Sequence, residues 1–255
     1  MKITFLGTGT SHGVPMIGCD CPTCRSEDPR DKRLRTSIYV QMDDGTAILV
    51  DAGPDLRQQA LRHNIRRVDA IIFTHGHADH ILGLDETRRF TETSRQSLPC
   101  YGDALTLVDI GKTFSYVFDP ATPRGGGLPQ LDLRLVDGPI QVGAHSVLPV
   151  PVLHGERPIL GLRFGSFAYL TDCSRIPEAS WPLLHNLDVL VIDALRQRPH
   201  PTHFSLAEAT EAARRIAAGR TYFTHMCHDL PHAGTNAALP EGMALAYDGL
   251  ELECR

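Results

Sequence analysis

The chain has 255 residues, 42% of them hydrophobic and 22% charged, which is typical of a globular protein with a full hydrophobic core. Its formal charge at pH 7 is −5 and no segment concentrates Lys or Arg, which argues against nucleic acid as the main partner because phosphate-backbone binding needs a basic face. No apolar run reaches the roughly 18 residues of a membrane helix, and the N-terminus lacks a secretion-signal pattern, so we expect a soluble cytoplasmic protein with no membrane partner.

Short runs rich in Val, Ile, Phe and Tyr recur along the chain and predict β-strands. In chain order the predicted strands are Lys2–Leu6, Ile38–Met42, Thr46–Val50, Asp69–Phe73, Ser146–Leu153, Phe167–Leu170, Asp188–Ile192 and Thr221–Phe223. Helices are predicted between them, at roughly 55–63, 81–90, 175–185 and 206–218. The last helix is the best defined, because Ser205 and Glu208 form a capping box before an Ala-rich segment. The irregular alternation of strands and helices predicts an α/β fold with a mixed sheet.

The whole chain, 1–255, is predicted to be a single domain, since no internal repeat or low-complexity tract divides it. The glycine-bearing segment Pro120–Pro129 resembles an exposed connection or a mobile flap and not a domain linker.

A dense group of metal-binding residue types follows the fourth predicted strand. The segment reads His-x-His-x-Asp-His, with ligand types at His75, His77, Asp79 and His80. A loop after a buried strand can direct alternate side chains into one cavity, and imidazole together with carboxylate suits Zn, Mn or Fe. Two such ions close together can hold both the nucleophile and the leaving group of a phosphoryl displacement. Surface histidines on a polar turn are the alternative, which the density of ligands disfavours.

Three further candidate ligands lie at the ends of later predicted strands: His154, Asp172 and His225. Together with Asp51 and the 75–80 segment, they match in order the five-part signature of the metallo-β-lactamase superfamily. The chain resembles that superfamily over residues 51–225. The resemblance implies an αββα sandwich, in which two mixed sheets are flanked by helices and the metals lie at one edge.

The resemblance also implies how the ligands divide between two divalent ions, Zn or Mn. One ion would be bound by His75, His77 and His154, the other by Asp79, His80 and His225, with Asp172 bridging both. A hydroxide shared by the two ions would be the nucleophile, so Asp79 and Asp172 belong to the implied catalytic machinery. Asp51 would orient the ligand loop without binding metal, an ordinary turn carboxylate being the alternative.

A second candidate metal site lies near the N-terminus. Three of the seven cysteines, Cys19, Cys21 and Cys24, lie within six residues, and an odd count excludes complete disulfide pairing within one chain. Three thiolates are one ligand short of a closed tetrahedral zinc site, and His228 could supply the fourth. This cysteine pattern with a distant His, and the opening Leu6–Pro15, are similar to PhnP-type phosphodiesterases, which implies one structural zinc ion. Three reduced, unliganded cysteines are the alternative.

In the PhnP group a further histidine, ahead of the last metal ligand, acts on the phosphate or the leaving group. The matching position here is His203. It directly precedes the capping box, so an anionic substrate would meet both an imidazole and the helix N-terminus at Ser205. His200, three residues away, is a competing candidate, and a solvated loop histidine is the alternative for either.

These features predict a metal-dependent hydrolase of a small-molecule phosphate, cyclic or diester, and the PhnP resemblance implies a ribosyl 1,2-cyclic phosphate. A thioester hydrolase like glyoxalase II shares the seven ligands and stays an alternative, although the cysteine cluster and the Gly-Thr-Gly-Thr opening disfavour it. A lactam-cleaving enzyme would have an export signal and a Cys where Asp172 stands, and transfer-RNA processing would need a basic arm. A non-catalytic metal- or nucleotide-binding module is the remaining alternative, and the sequence leaves a homodimer open.

Overall fold

The computed structural model describes residues 1–123 and 127–254, so residues 124–126 of the predicted connection Pro120–Pro129 lie outside the described residues. Its strands form two seven-stranded sheets. The strands of the first sheet are β1 (Lys2–Gly7), β2 (Ser37–Gln41), β3 (Ala47–Val50), β4 (Ala70–Ile72), β5 (Leu98–Gly102), β6 (Leu131–Leu135) and β14 (Glu251–Glu253). Their order across the sheet is β14-β1-β2-β3-β4-β5-β6.

The second sheet repeats this plan. Its strands are β7 (Ile140–Val142), β8 (His145–His154), β9 (Arg157–Phe164), β10 (Phe167–Leu170), β11 (Val189–Asp193), β12 (Arg220–Thr224) and β13 (Met243–Leu245). Their order is β13-β12-β11-β10-β9-β8-β7. In each sheet four neighbouring strands run parallel, β3 to β6 in the first and β10 to β13 in the second, and the remaining neighbours pair antiparallel. Both sheets are therefore mixed, as predicted.

Helices cover the outer face of each sheet. Their bounds are α1 (Pro22–Arg25), α2 (Leu56–Arg62), α3 (Ala78–Ile81), α4 (Arg88–Ser94), α5 (Ala104–Thr113), α6 (Ser115–Phe118), α7 (Leu206–Ile216) and α8 (His232–Ala237), with 3₁₀ turns at Pro29–Asp31, Leu84–Thr87 and Glu178–Leu184. Among the residues that the structure describes, no helix is long and apolar enough to cross a membrane.

Strand burial explains the layering. In β3, Ile48 and Val50 pack into the core between the two sheets, whereas Ala47 and Leu49 pack into the core beneath the helices. Strands buried on both faces need apolar residues at every position, which is why they appear in the sequence as short continuous runs. Helix α7 completes the second outer layer, where Leu206, Ala209, Ala213 and Ile216 pack on the sheet.

The predicted αββα sandwich with two mixed sheets is thus confirmed, and each of the eight predicted strands is present. Two of the four predicted helices need correction. The segment 81–90 contains the end of α3, a 3₁₀ turn and the start of α4 instead of one helix. The segment 175–185 holds a 3₁₀ helix, Glu178–Leu184, with Pro182 inside it. Proline lacks the amide hydrogen that a continuing α-helix requires.

Candidate metal centre

The candidate site lies where six strands end, on one edge of the sandwich. The residues concerned are Asp51 after β3, Thr74–His80 after β4, His154 at the end of β8, Asp172 after β10, Asp193 at the end of β11 and His225 after β12. Three of these, Asp51, Asp172 and His225, have left-handed backbone with φ of 62°, 55° and 59°. Such conformations are costly for non-glycine residues and cluster at functional sites.

One group of ligand atoms contains His75, His77 and His154. Nε2 of His75 lies 2.9 Å from Nδ1 of His77, and the His77 and His154 rings are 5.1 Å apart. Nδ1 of His154 is within 2.7 Å of the Thr202 carbonyl oxygen, which fixes the ring and leaves its Nε2 free for another partner. Three imidazoles thus meet at one point, which is the grouping that the resemblance implies for one ion.

The second group contains Asp79, His80, Asp172 and His225. The carboxylate of Asp172 lies between the imidazoles, 3.3 Å from Nε2 of His80 and 3.2 Å from Nε2 of His225. It is also 4.0 Å from Nε2 of His75 in the first group. Asp172 is therefore the carboxylate that contacts both groups, which is the position expected of a bridging ligand.

The donor atoms of the second group fit divalent cations. Nε2 of His80 and Nε2 of His225 are sealed from solvent and have no hydrogen-bond partner among the described residues. Buried polar atoms left without a partner are costly, and those in native structures call for a bound group to satisfy them. Imidazole nitrogens beside carboxylate oxygens are the donor set that Zn or Mn prefers.

The pKa shifts within the second group also indicate a site for divalent cations. Burial alone would lower the pKa of His225, yet Asp172 and Asp79 raise it to about 9. Burial likewise raises the pKa of Asp172, but the neighbouring His225 and His80 hold it well below its ordinary value. Carboxylates that stabilise protonated imidazoles would equally stabilise divalent cations in place of those protons.

Asp51 holds the ligand loop from behind. It is fully buried; its Oδ1 accepts from the Thr74 amide at 2.8 Å, and its Oδ2 accepts from the Thr74 hydroxyl at 2.9 Å and lies 2.8 Å from Nδ1 of His80. These contacts orient the start of the loop and one of its imidazoles. Gly53 lets the backbone after β3 pack closely against the ligand segment, because a Cβ at this position would lie 2.1 Å from the Asp79 carbonyl oxygen.

His203 lies against both groups. Its ring centroid is 4.6 Å from that of His154 and 4.8 Å from that of His225. Its Nδ1 lies 2.9 Å from Oδ2 of Asp193, a fully buried carboxylate. The ring centroids of His200 and His203 are 5.1 Å apart, and Nδ1 of His200 accepts from the Thr202 amide. His200 therefore lies farther from the two ligand groups than His203 does.

Asp193 was missed by the sequence prediction, although a signal was present. It follows the predicted strand Asp188–Ile192 directly, just as the predicted ligands follow theirs. Burial raises its pKa well above the ordinary value, while burial lowers the pKa of His203 to about 4. Oδ1 of Asp193 is also 3.7 Å from Nδ1 of His225. One carboxylate therefore faces both the candidate proton donor and a candidate ligand.

The predicted phosphate-binding role of Ser205 needs correction. The capping box is present, and both the amide and the hydroxyl of Ser205 donate to the Glu208 carboxylate, at 2.8 Å and 2.6 Å. Neither donor is available to a phosphate, and the negative charge of Glu208 opposes an anion at this helix end. The sequence pattern defines the helix start and not a substrate contact.

The cysteine cluster has the dimensions of a tetrahedral zinc site. Nδ1 of His228 lies 3.3 Å from Sγ of Cys19, 3.6 Å from that of Cys21 and 3.5 Å from that of Cys24. Ordinary Zn–S and Zn–N bonds at a tetrahedral angle would separate these atoms by about 3.6 Å. Buried Arg33 donates to the Cys227 carbonyl at 3.0 Å and so holds the His228 loop in place.

We expect Cys21→Ser to release about one zinc ion per chain and to lower the melting temperature, because structural zinc contributes directly to folding. Burial raises the pKa of the Cys24 thiol to about 11, so a bound cation is needed to keep it as a thiolate at neutral pH. Metal analysis and thermal unfolding check this, with Cys254→Ser as the control for loss of a thiol elsewhere. A variant that melts like the wild type and retains all its metal would contradict the assignment.

Comparisons with known proteins agree with this geometry. A family model described as a β-lactamase superfamily domain matches residues 46–226. A diphosphatase from the PhnP family, whose crystal structure is known, is 47% identical in sequence to this chain. The two structures match with a TM-score of 0.93 over 100% of this chain and 98% of that one. An octanoyltransferase of Porphyromonas gingivalis is 39% identical over 253 residues, 98% of this chain. Coenzyme PQQ synthesis protein B of a Methylobacterium species is 26% identical over 306 residues, covering 99% of both proteins. This chain spans 51% of the octanoyltransferase, about half its length.

Proposed function

Because this chain belongs to the PhnP family of the β-lactamase superfamily, we propose that it is a metal-dependent phosphodiesterase. The observation that supports this most is the meeting of two ligand groups at Asp172, with His203 packed against both. A small cyclic or diester phosphate is the proposed substrate, and a ribosyl 1,2-cyclic phosphate is one member of that class.

In this proposal each residue group has a separate task. His75, His77 and His154 would hold one divalent ion, Asp79, His80 and His225 the other, and Asp172 both. When bound, the two ions would lower the pKa of a shared water into the neutral range and neutralise charge on the phosphate. Asp51 keeps the His80 ring in the orientation that directs its Nε2 toward Asp172. The cysteine cluster would hold a third ion, zinc, that stabilises the fold.

His203 is the proposed proton donor to the leaving group. Its Nδ1 is occupied by Asp193, which leaves the other ring nitrogen for the substrate. Burial lowers the pKa of the His203 imidazole to about 4, but an arriving phosphate anion would favour its protonated form, because an opposite charge nearby stabilises a cation. Asp193 would act as a positioning residue that fixes the orientation of the ring.

Cleavage of a diphosphate is the second candidate, because the PhnP-family relative with 47% identity is a diphosphatase. The same ligand groups would serve both reactions, since in each reaction the oxygen of a water molecule replaces the leaving oxygen on phosphorus. Octanoyl transfer is not proposed, because the P. gingivalis protein is about twice as long and its activity cannot be assigned to the half that this chain matches.

Removal of metal tests the proposed function. We expect EDTA treatment to abolish turnover of bis(p-nitrophenyl) phosphate, and Zn or Mn added afterwards to restore it. Metal analysis before and after treatment is the control. Full turnover by protein that metal analysis shows to be empty would refute a metal-dependent mechanism.

A further inference from the structure

The three imidazoles of the first ligand group come from two separate segments of the chain. His75 and His77 lie on the loop after β4, in the first sheet, whereas His154 ends β8 in the second sheet. A backbone hydrogen bond joins the two segments, from the amide of Leu160 on β9 to the carbonyl oxygen of Thr74 at 3.0 Å. This contact fixes only the start of the loop, so other interactions must hold His77 at its distance from His154.

Helix α5 covers the loop at the residue between its two histidines. A Cβ on Gly76 would lie 2.7 Å from Oδ2 of Asp109, a carboxylate on α5, and 3.0 Å from the Asp109 Cβ. A glycine is therefore needed in the middle of the His-x-His motif, because α5 packs directly on it. The helix is itself anchored by buried Ile110 in the core beneath the helices. Asp109 thus limits the position of the loop on its outer side.

Arg157 joins α5 to the strand pair that carries His154. It is the first residue of β9 and the register partner of His154 across the turn between β8 and β9. Its Nη2 lies 3.7 Å from Oδ2 of Asp109, and this is the one ion pair that Arg157 makes within residues 1–123 and 127–254. Nε and Nη2 of Arg157 are sealed from solvent and have no hydrogen-bond partner in the same part of the chain. The desolvated guanidinium therefore depends on Asp109 for compensation of its charge.

We propose that Arg157 and Asp109 are positioning residues for the first ligand group. Their ion pair holds α5, and the loop beneath it, at a fixed distance from the turn between β8 and β9. His75, His77 and His154 thereby keep the spacing that one cation requires. The inference rests on the metal binding in the proposed function and is independent of the substrate. Residues that orient metal ligands typically account for about 10- to 100-fold in metal affinity.

The sign of the effect distinguishes positioning from a direct charge effect on the bound cation. If the two side chains acted only through their charges, Arg157→Gln would strengthen cation binding and Asp109→Asn would weaken it. If they act as one ion pair, either substitution releases α5, and both weaken binding of the first ion by about the same factor. The double variant should then bind this ion no more weakly than either single variant, because the pair is already broken.

Stepwise removal of zinc from the loaded protein by a competing chelator tests the inference. His77→Ala, which removes a ligand of the first group alone, identifies the step that belongs to the first ion, and His225→Ala identifies the second. We expect Arg157→Gln and Asp109→Asn each to weaken binding of the first ion about 10- to 100-fold, and binding of the second far less. General destabilisation of the fold would not produce this selectivity. Cobalt in place of zinc gives a second measurement, because its visible absorption depends on coordination geometry and should change in both variants.

Arg214→Gln is the matched control, because Arg214 forms an ion pair of similar length, 3.4 Å to Glu211, on exposed helix α7. It should leave the removal of both ions unchanged. Unchanged or stronger binding of the first ion by Arg157→Gln, additive losses in the double variant, or equal losses of both ions would overturn the inference and leave the proposed function standing. If His77→Ala lost no step at all, the first group would bind no metal, and the proposed function would fail as well.

Discussion

Replacing Asp172 with alanine is expected to abolish phosphodiesterase activity and to lower the content of both active-site ions. The Asp172 side chain is buried, and its two oxygens contact His80 and His225 of one ligand group and approach His75 of the other. Removing it takes a negative charge from both proposed metal positions at once. Metal analysis and turnover of bis(p-nitrophenyl) phosphate measure the two effects separately.

Asp43→Ala is the matched control, because Asp43 is an exposed aspartate in the turn before β3, at the other end of the strand from Asp51. It should retain full activity and metal content. Asp172→Asn preserves the shape of the side chain and should still lose most activity, because the amide lacks the charge that two cations require. Wild-type turnover by Asp172→Ala at matched metal loading would refute its bridging role.

His203→Ala is expected to keep its metals and to lose about 10²- to 10⁴-fold in activity on alkyl or ribosyl diesters, the range typical of general-acid catalysis. An alkoxide leaving group needs the proton that His203 would donate. A p-nitrophenolate departs without it, so the same variant should lose much less activity on bis(p-nitrophenyl) phosphate. The measurement is the ratio of the two losses.

His200→Ala separates the two candidate histidines. His200 is farther from the ligand groups and has no contact with Asp193 among the described residues, so a small loss on both substrates is expected. Asp193→Asn should show the His203 pattern in weaker form, since it affects the reaction only through the ring that it positions. Equal losses of His203→Ala on both substrate types would show that His203 binds phosphate instead of donating a proton.

The strands that carry the site could be predicted from sequence because they are buried on both faces. β3, β4, β10 and β11 are almost uninterrupted apolar runs, and such runs are visible without knowledge of the fold. Six strands of the described residues were missed: β5, β6, β7, β9, β13 and β14. In β5 and β9 the reason is visible in the sequence. Pro99 interrupts the first, and Pro158 and Gly161 interrupt the second. Both residue types normally weaken a strand prediction, and only the pairing with neighbouring strands overrides them.

The local parts of the site were more predictable than its distant contacts. The segment 75–80 carries four candidate ligands in one motif, and the cysteines lie within six residues. The end of the predicted strand before Asp193 is visible locally, but the contact between Asp193 and His203 depends on how the segment after β11 returns to the site, which no local pattern encodes. For Ser205 the local pattern was interpreted correctly as a capping box, but the predicted phosphate contact was wrong. Sequence alone could not show that Glu208 occupies both donors of Ser205.

The most direct measurement is the kcat/KM of metal-loaded, purified protein for bis(p-nitrophenyl) phosphate compared with that for S-lactoylglutathione. The two substrates separate phosphodiester from thioester hydrolysis, the reactions that the same seven ligands can support. We predict metal-dependent turnover of the diester and no measurable turnover of the thioester. Efficient cleavage of S-lactoylglutathione with no turnover of the diester would contradict the proposed phosphodiesterase function.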